Sequence, residues 1–229
     1  MMDALTTALK PKDPPSRVTL TGRFVFLEPL AAERHGADFD AHLCGAANED
    51  LWNFIPFGAP SDSAELFGVL ANMQAQSGWI SFAVRDLSSG KATGTVSLMR
   101  VRPEHGSAEI GCVVFGKALQ RTPAASEAVF LLGQYLFDTL GYRRYEWKCD
   151  NRNEASRRAA VRFGFSFEGI FRNDMIVNGR NRDTAWFAMT DADWLKVRLA
   201  YDAWLSPQNF DEHGQQRESL TTLVSGAIG

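Results

Sequence analysis

The sequence lacks any uncharged hydrophobic run long enough to cross a membrane. Its longest such run covers residues 128–137, about half of the roughly 20 residues that a membrane-spanning helix needs. The first residues carry Asp3 and reach Lys10 without a hydrophobic stretch, so they do not resemble a secretory signal. We therefore expect a cytoplasmic protein that has no membrane partner.

Cysteine is also scarce, with three residues in 229. Cys44, Cys112 and Cys149 are widely spaced among core-like residues, which indicates reduced structural thiols and argues against a disulfide framework. The four histidines are far apart and have no Cys or His partner at ligand spacing. No metal site is expected.

Several catalytic motifs are missing as well. The chain contains no G-x-S-x-G, no G-x-x-x-x-G-K-[ST] and no G-x-G-x-x-G. These absences remove the usual sequence signatures of hydrolases, P-loop enzymes and dinucleotide-binding dehydrogenases.

What the sequence does contain suits a single globular domain. It is 45% hydrophobic, 22% charged and 11% aromatic, which provides ample core material. Residues 1–19 are rich in Pro, Thr and Lys, so we predict a flexible arm. Hydrophobic periodicity extends over 20–205 and is then lost, so residues 206–229 are predicted to be a tail.

The spacing of hydrophobic and turn residues predicts both strands and helices. Strands are predicted over 24–28, 79–86, 92–102, 107–115, 142–148, 165–171 and 184–190, and helices over 31–43, 61–76, 124–140, 153–163 and 194–205. The three strands between 79 and 115 are joined by short turns and form an antiparallel meander. The fold class is therefore α/β (α+β).

The net charge of −3 hides two regions of opposite sign. Residues 35–84 contain six acids and no Lys or Arg, which favours cations unless the acids are only a solvated surface. Residues 143–182 contain ten bases and five acids, a surplus that favours a compact polyanion. Because these bases alternate with acids in an acidic chain, nucleic acid is not an expected partner.

Six short motifs between residues 108 and 172 occur in an order that is typical of one enzyme family. They are Ala108-Glu109-Ile110-Gly111, residues 120–128, 140–144, 151–156 and 163–165, and Glu168-Gly169-Ile170-Phe171-Arg172. Together with residues 22–30, they resemble the GCN5-related N-acetyltransferases (GNAT), and within them the branch named for the ribosomal-protein N-terminal acetyltransferases.

The resemblance covers residues 21–190 and implies a function as well as a fold. It implies a single GNAT domain with a mixed, mostly antiparallel sheet flanked by helices, in which acetyl-CoA, the co-substrate, lies between two splayed central strands. The acetyl group then passes to a primary amine, on a small molecule or a peptide, without a covalent enzyme intermediate. The identity of the amine stays open, as does a homodimeric assembly.

The resemblance places the pyrophosphate of acetyl-CoA on the loop that opens the helix after residue 120. The predicted binding residues are Gln120, Arg121, Thr122, Ala124, Ala125 and Ser126. Pro123 stands where the family usually has glycine, and proline has no backbone N–H to donate to a phosphate. The other N–H groups of the first helical turn still attract anions. Alternatively, Thr122-Pro123 only starts a helix.

A second set of predicted cofactor residues follows residue 152. The resemblance places Asn153 against the pantetheine arm and Ser156 near the thioester sulfur, where its hydroxyl could protonate the leaving thiolate. Arg157, with Arg158 and Arg162, is expected to face outward and to attract the phosphates of CoA. Asn153 alternatively serves only as a helix N-cap.

Two carboxylates are candidates for the general base that deprotonates the amine. Glu109 lies on the strand that should run beside the acetyl group, and Asp174 follows the last motif. Glu109 alternatively forms only a salt bridge at a strand edge, and the sequence does not rank the two carboxylates.

The acceptor side is predicted near residues 50–57. Asp50, Trp52 and Phe54 lie in a segment rich in Pro and Gly, so they could line a cleft with a negative rim, unless the aromatic residues are simply core. Two rival functions remain. One is a non-catalytic acyl-CoA-binding or interaction module of the same fold, which Pro123 keeps open, and the other is an enzyme that uses another acyl group.

Overall fold

The computed structural model describes residues 10–228 of the chain, which contain eight strands and six α-helices. The strands are β1 Leu20–Thr21, β2 Val25–Pro29, β3 Ile80–Asp86, β4 Ala92–Arg102, β5 Ser107–Phe115, β6 Arg144–Asp150, β7 Ser166–Val177 and β8 Arg180–Thr190. The helices are α1 Ala32–Leu43, α2 Ser63–Ala75, α3 Pro123–Gln134, α4 Glu154–Arg162, α5 Asp191–Leu205 and α6 Leu220–Ile228.

All eight strands form one sheet in the order β1-β2-β3-β4-β5-β6-β8-β7. Neighbouring strands run antiparallel except β5 and β6, which run parallel. A parallel pair needs a long crossover connection, and α3 provides it. The predicted mixed, mostly antiparallel sheet flanked by helices is confirmed.

Helices α3 and α5 pack on one face of this sheet, called here the α3 face. Ala108 of β5 and Tyr145 and Trp147 of β6 belong to the same hydrophobic core as these helices. Because side chains alternate along a strand, Glu146 and Lys148 lie on the opposite face.

Helices α1 and α2 cover the opposite face next to β3 and β4. Phe39 and Leu43 of α1 and Leu70 of α2 form a second core cluster with Ala83 and Ala92 of these strands. Further along the sheet, β5, β6 and β8 present charged and polar side chains on this face, and the candidate site lies there.

Gly22 and Glu127 connect the start of the sheet to α3. Glu127 is buried, and its carboxylate accepts the N–H groups of Arg23 and Phe24 at 2.7 and 2.6 Å. A Cβ at Gly22 would lie 2.3 Å from the Glu127 carboxyl carbon. Glycine is therefore required at this position for the carboxylate to reach the β2 backbone.

The β7–β8 hairpin is longer than predicted. The sequence predicts strands over 165–171 and 184–190, but pairing continues to the turn at 177–180. The polar residues 172–174 conceal this continuation, because Asn173 has a φ of +53° at a bulge that interrupts the strand pattern.

The helix predicted over 124–140 also ends differently. The α-helical part stops at Gln134, and one π-helical turn, Tyr135–Thr139, follows it. Gly141 then adopts a φ of +65°, as expected for a glycine that terminates a helix.

The prediction that residues 206–229 form a tail needs correction, because the described part, residues 206–228, contains a packed helix. This helix is α6, whose Leu220 and Val224 are buried in the main core, and Trp204 of α5 donates its indole N–H to Gln216 at 2.8 Å. The polar residues before this short helix hide its periodicity.

Part of the predicted arm packs as well. The Ser16 N–H donates to the Tyr135 hydroxyl at 2.9 Å. The other part of that prediction, for residues 1–9, lies outside the described residues. Within 10–228, no helix has both the length and the apolar composition needed to cross a membrane.

Candidate functional site

The sheet opens between its two parallel strands. Pairing of β5 with β6 is limited to Ser107–Ile110 against Arg144–Trp147, although both strands continue beyond this region. Cys112 has a φ of +48° and lies at an irregularity in the pairing of β5 with β4. Beyond Ile110 the facing edges of β5 and β6 are not paired with each other, so they can bind an extended ligand that carries amide groups.

The predicted phosphate loop ends in the first turn of α3. Thr122 is the N-cap, and its hydroxyl accepts a hydrogen bond from the Ala125 N–H at 3.3 Å. Pro123 occupies the start of the helix, as proline commonly does. The helix-starting role of Thr122-Pro123 is thus observed. The Ala124 N–H has no preceding helical carbonyl to bond, so it can still bind an anion at the positive end of α3.

The remaining loop residues differ in their exposure. Gln120 donates from Nε2 to the Phe115 carbonyl at 2.9 Å, and Arg121 is exposed with a φ of +61°. Ser126 is fully buried, and its hydroxyl accepts a hydrogen bond from Arg162 at 2.6 Å. Ser126 therefore supports the loop from within, and Arg121 is the loop side chain that is open to a phosphate.

Arg162 does not face outward as predicted. Its guanidinium contacts Ser126 of α3 and lies over the rings of Phe163 and Trp204, at 5.6 and 5.7 Å from their centres. These contacts hold Arg162 between helices. Within residues 10–228, the Arg157 guanidinium makes one hydrogen bond, a long one of 3.5 Å to the Asn151 carbonyl.

Ser156 lies where β5 and β6 separate. The Asn153 side chain caps α4 by accepting the Ser156 N–H at 3.0 Å, so the N-cap role is observed. The Ser156 hydroxyl accepts the indole N–H of Trp147 at 2.9 Å, and its side chain also hydrogen-bonds the thiol of Cys149. Trp147 is the last residue of β6 paired with β5. This position suits the role predicted for Ser156 beside a thioester sulfur.

On the opposite face, Lys148 joins two buried carboxylates. Its Nζ lies 2.9 Å from Glu109 Oε2, 3.1 Å from Glu146 Oε2 and 3.8 Å from the centre of the Trp186 ring. The Lys148 side chain is only 6% exposed. Glu109 is therefore part of an ion-pair network, which matches the salt-bridge alternative for this residue.

Arg100 reaches this network because of a bulge in β4. Leu98 lies in the core on the α3 face, so regular alternation would place Arg100 on that face too. Arg100 instead has a φ of +43°, and its guanidinium lies 2.6 Å from Glu109 Oε2. Arg100 and Lys148 thus contact the same carboxylate oxygen of Glu109, Oε2.

Glu146 is surrounded by cations. Arg102 and Arg144 lie 2.7 and 2.8 Å from its Oε1. Burial alone would raise the pKa of Glu146, but hydrogen bonds from Arg144 and Lys148 and the nearby positive charges outweigh burial and lower it. Glu146 therefore stays ionised near neutral pH and holds the cations in place.

A cavity of about 500 Å³ opens on this face, within the size range of small-molecule sites. We call it the charged cavity. It is lined by Arg100, Arg102, Lys148, Asp174, Met175, Arg182, Thr184 and Trp186. Asp174, a predicted base, is the carboxylate of this lining, whereas Glu109 lies behind it.

Trp52 and Asp50, which lie in the acid-rich stretch 35–84, make contacts that support the fold. Trp52 is 3% exposed, and its indole N–H donates to the Leu43 carbonyl at 2.9 Å. It belongs to the core beneath α1 and α2, so the expectation that Trp52 lines an acceptor cleft is corrected. Asp50 pairs with Lys117 at 3.1 Å, and Phe54 is 45% exposed. Their predicted contacts with an acceptor stay predictions.

Lys148, Arg182 and Trp186 are site residues that the motifs do not indicate. Lys148 and Trp186 are each followed by a buried core residue, so strand alternation was the signal that could have found them. For Arg182, whose neighbour Asp183 is not buried, alternation with Thr184 and Trp186 was that signal. Reading that signal required the true start of β8 at Arg180, which the predicted strand missed. Within 10–228, no group of three His, Cys, Asp or Glu residues is arranged to hold a metal ion.

Comparison with known families matches residues 25–166 to the acetyltransferase (GNAT) domain. This match covers more than half of the chain. The chain belongs to the GNAT acetyltransferase family. The resemblance seen in the sequence is confirmed, and the protein is an acyltransferase by family.

Individual relatives agree with this assignment. The chain is 46% identical to a GCN5-related N-acetyltransferase from Brucella melitensis, with a TM-score of 0.91 over 95% of this chain and 98% of that one. It is 34% identical to the N-acetyltransferase YoaA of Bacillus subtilis (strain 168) over 91 residues, 40% of this chain. The chain spans about half the length of YoaA, 51%.

A third relative shares the fold. The Microcin C7 self immunity acetyltransferase MccE, whose crystal structure is a complex with acetyl-CoA and AMP, has a TM-score of 0.64 and 18% identity. The superposition covers 74% of this chain and 93% of that one. At this identity the likeness shows the fold alone.

Proposed function

We propose that this GNAT acetyltransferase transfers the acetyl group of acetyl-CoA to a primary amine, by direct attack of the amine on the thioester in a ternary complex. The opening between β5 and β6 carries the proposal, because it has Ser156 beside it on the α3 face and the charged cavity on the other face. Two substrates that enter from opposite faces meet at this opening, which supplies the proximity that acyl transfer needs.

Acetyl-CoA, when bound, supplies an acetyl group activated as a thioester. The unpaired edges of β5 and β6 would hold the amides of its pantetheine arm, with Asn153 alongside. The Ala124 N–H and the positive end of α3 would attract the pyrophosphate, helped by the charges of Arg121 and Arg157. Pro123 removes one donor from this set without removing the helix dipole.

Proton transfer is assigned to Asp174 and Ser156. Asp174 takes one proton from the ammonium form of the acceptor, which frees the nitrogen lone pair. The nitrogen attacks the acetyl carbon, so an N–C bond forms as the C–S bond breaks. The nitrogen then releases a second proton to solvent, and the thiolate gains one from solvent, either directly or through the Ser156 hydroxyl, which solvent reprotonates.

Glu109 is given a positioning role in this scheme. Its Oε2 is shared by Arg100 and Lys148, at 2.6 and 2.9 Å, and it lies behind the lining of the charged cavity. Asp174 lies in the lining itself, where an amine can reach it.

An acyl-enzyme on cysteine is not part of the proposal. Burial raises the pKa of Cys112 to about 12 and also raises the pKa of Cys149. The thiolate is the nucleophilic form of cysteine, so neither thiol is activated near neutral pH.

Steady-state assays with acetyl-CoA and a panel of primary amines test the proposal. We expect CoA thiol release that requires the amine, with one acetylated amine per CoA by mass spectrometry. Binding of acetyl-CoA without acetylation of any amine would favour the non-catalytic module, and faster transfer from a longer acyl-CoA would favour another acyl group. A cytoplasmic location, as the sequence favours, belongs to the same proposal.

A further inference from the structure

Two residues of opposite charge in the charged cavity are neighbours and do not pair. Met175 is in register with Arg182 across the β7–β8 hairpin, so Asp174 lies one position away from the partner of Arg182. Both side chains line the cavity, yet no ion pair joins them in the described part of the chain. Both charges are therefore available to a ligand that carries both signs.

The other cations of the lining already have protein partners. Arg100 and Lys148 contact Glu109, and Arg102 contacts Glu146. Among residues 10–228, Arg182 is the cation of this lining that forms no ion pair with a carboxylate; the nearby Asp150, whose pKa its charge helps to lower, is paired with Arg152 at 2.7 Å. An anionic ligand would therefore meet Arg182 without displacing a protein carboxylate.

Strand β8 also contributes three buried polar atoms that lack a hydrogen-bond partner within residues 10–228. They are Nε of Arg182, Oγ1 of Thr184 and Nε1 of Trp186. These alternate residues lie on one face of β8, and all three residues line the cavity. The arginine and tryptophan nitrogens can only donate, so the partner that they lack is an acceptor such as a carboxylate or phosphate oxygen.

We propose that the acceptor is a small zwitterion, a primary amine that also bears a carboxylate or a phosphate. Asp174 receives the ammonium group, and Arg182, with Thr184 and Trp186, binds the oxyanion. This assignment rests on the proposed acetyl transfer and narrows its acceptor class. A cavity of about 500 Å³ accommodates a compact metabolite of this kind.

Two pairs of amines, each differing in one anionic group, test the proposal. They are L-leucine against L-leucinamide, and O-phosphoethanolamine against ethanolamine. The rate constant kcat/KM is expressed per neutral amine, because removal of the anion changes the pKa of the amine. We expect the anionic member of at least one pair to be preferred by tenfold or more, since a charge-assisted hydrogen bond is lost in the neutral member. The preferred pair identifies the oxyanion as carboxylate or phosphate.

The variant Arg182→Gln links this preference to the cavity. We expect it to reduce the ratio of kcat/KM between the two members of the preferred pair by roughly tenfold. Arg180→Gln is the matched control, because Arg180 lies two residues earlier on β8, is exposed and does not line the cavity. Circular dichroism and thermal melting verify that both variants fold.

Equal kcat/KM values for both members of each pair would overturn the zwitterion proposal. A ratio of kcat/KM that is unchanged in Arg182→Gln would also overturn it. If no amine is acetylated, the proposed acetyl transfer fails first. In that case, calorimetry with L-leucine, L-leucinamide, O-phosphoethanolamine and ethanolamine decides the acceptor class separately. Binding of an anionic member that Arg182→Gln weakens supports the cavity assignment, and no binding of either anionic member rejects it.

Discussion

The acid-rich stretch 35–84 and the charged cavity are both dense in charge, but their charges have different partners. Acids in the stretch contact backbone N–H groups and exposed side chains at the protein surface. In the cavity, buried carboxylates on β5 and β6 hold cations from β4 and β6, and Asp174 and Arg182 form no ion pair with any residue that the structure describes.

Two acids of the stretch have cationic partners, and three others accept hydrogen bonds from hydroxyl or backbone groups. Asp38 accepts from Lys91 and from the Ala92 N–H, Asp40 from Ser63, Asp62 from the first turn of α2, and Glu65 from Ser61. A count of charges along the sequence misses these partners, because Lys91 and Lys117 lie outside the stretch. Charge therefore has to be counted around a cavity and not along the chain.

The largest expected difference between the two regions is in stability. Lys148→Met removes the 6% exposed cation that two buried carboxylates share, and we expect it to lower the free energy of unfolding by about 3 kcal/mol. Lys91→Met removes the 59% exposed partner of Asp38, which should cost less than about 1 kcal/mol. Urea unfolding of both variants measures the difference, and equal losses would contradict the comparison.

The pH dependence of unfolding sharpens the same test. The native pKa of Glu146 lies below its ordinary value of 4.5, so this residue stabilises the fold above that pH and loses its contribution as the pH falls through the native pKa. In Lys148→Met one of the causes that lower this pKa is gone. We expect a shallower loss of stability below pH 4.5 than in the unmodified protein.

The next largest effect should be on catalysis. Asp174→Asn removes the carboxylate of the charged cavity, and we expect kcat/KM for the amine to fall by about 10² near neutral pH. The loss should shrink at high pH, where the amine is already neutral and needs no base.

Glu109→Gln is the matched comparison for the general base. It removes a partner from Arg100 and Lys148, so we expect lower stability and a rate that does not recover at high pH. If Glu109→Gln showed the recovery and Asp174→Asn did not, Glu109 would be the base and the assignment of Asp174 would be wrong.

The elements bounded by clear turns were predictable. β4 and β5 begin just after Gly90 and Gly106, whose φ values of +69° and +60° suit glycine, and both strands have the predicted bounds. The long β7–β8 hairpin was not predictable, because Asn173 adopts a positive φ inside a polar stretch.

The site was predictable where a motif met a helix start, as at Thr122 and Asn153, and at Asp174, which follows the last motif. The charged cavity depends on the bulge at Arg100 and on residues from four strands that are far apart in the sequence. A bulge at a residue other than glycine leaves little signal in the sequence, so the network around Glu109 could not be predicted from its motif.

A smaller effect is expected on the affinity for CoA. Arg121→Ala and Arg157→Ala each remove a cation near the start of α3 or α4, and we expect each to weaken CoA binding by a few-fold. Calorimetry at two salt concentrations measures this loss, and binding should also weaken as salt rises. Arg158→Ala is the control, because Arg158 pairs with Glu154 at 3.1 Å. Affinity that is unchanged in both variants and insensitive to salt would remove Arg121 and Arg157 from the phosphate site.

The smallest effect is expected in the acidic stretch itself. The double variant Asp50→Asn, Asp62→Asn removes two negative charges, yet α2 keeps its cap because Asn is as good an N-cap as Asp. If the acceptor binds in the charged cavity, its KM should change by less than about twofold at moderate salt, since neither Asp50 nor Asp62 lines that cavity and salt screens exposed charges. Steady-state kinetics with a cationic amine measures this KM at low and at moderate salt. A rise of several-fold in the variant, reproduced in the unmodified protein by added salt, would show that the acidic stretch attracts the amine. In that case Asp50 would regain the acceptor role that the sequence predicted for it, and the charged cavity would lose its claim to the cationic end of the substrate.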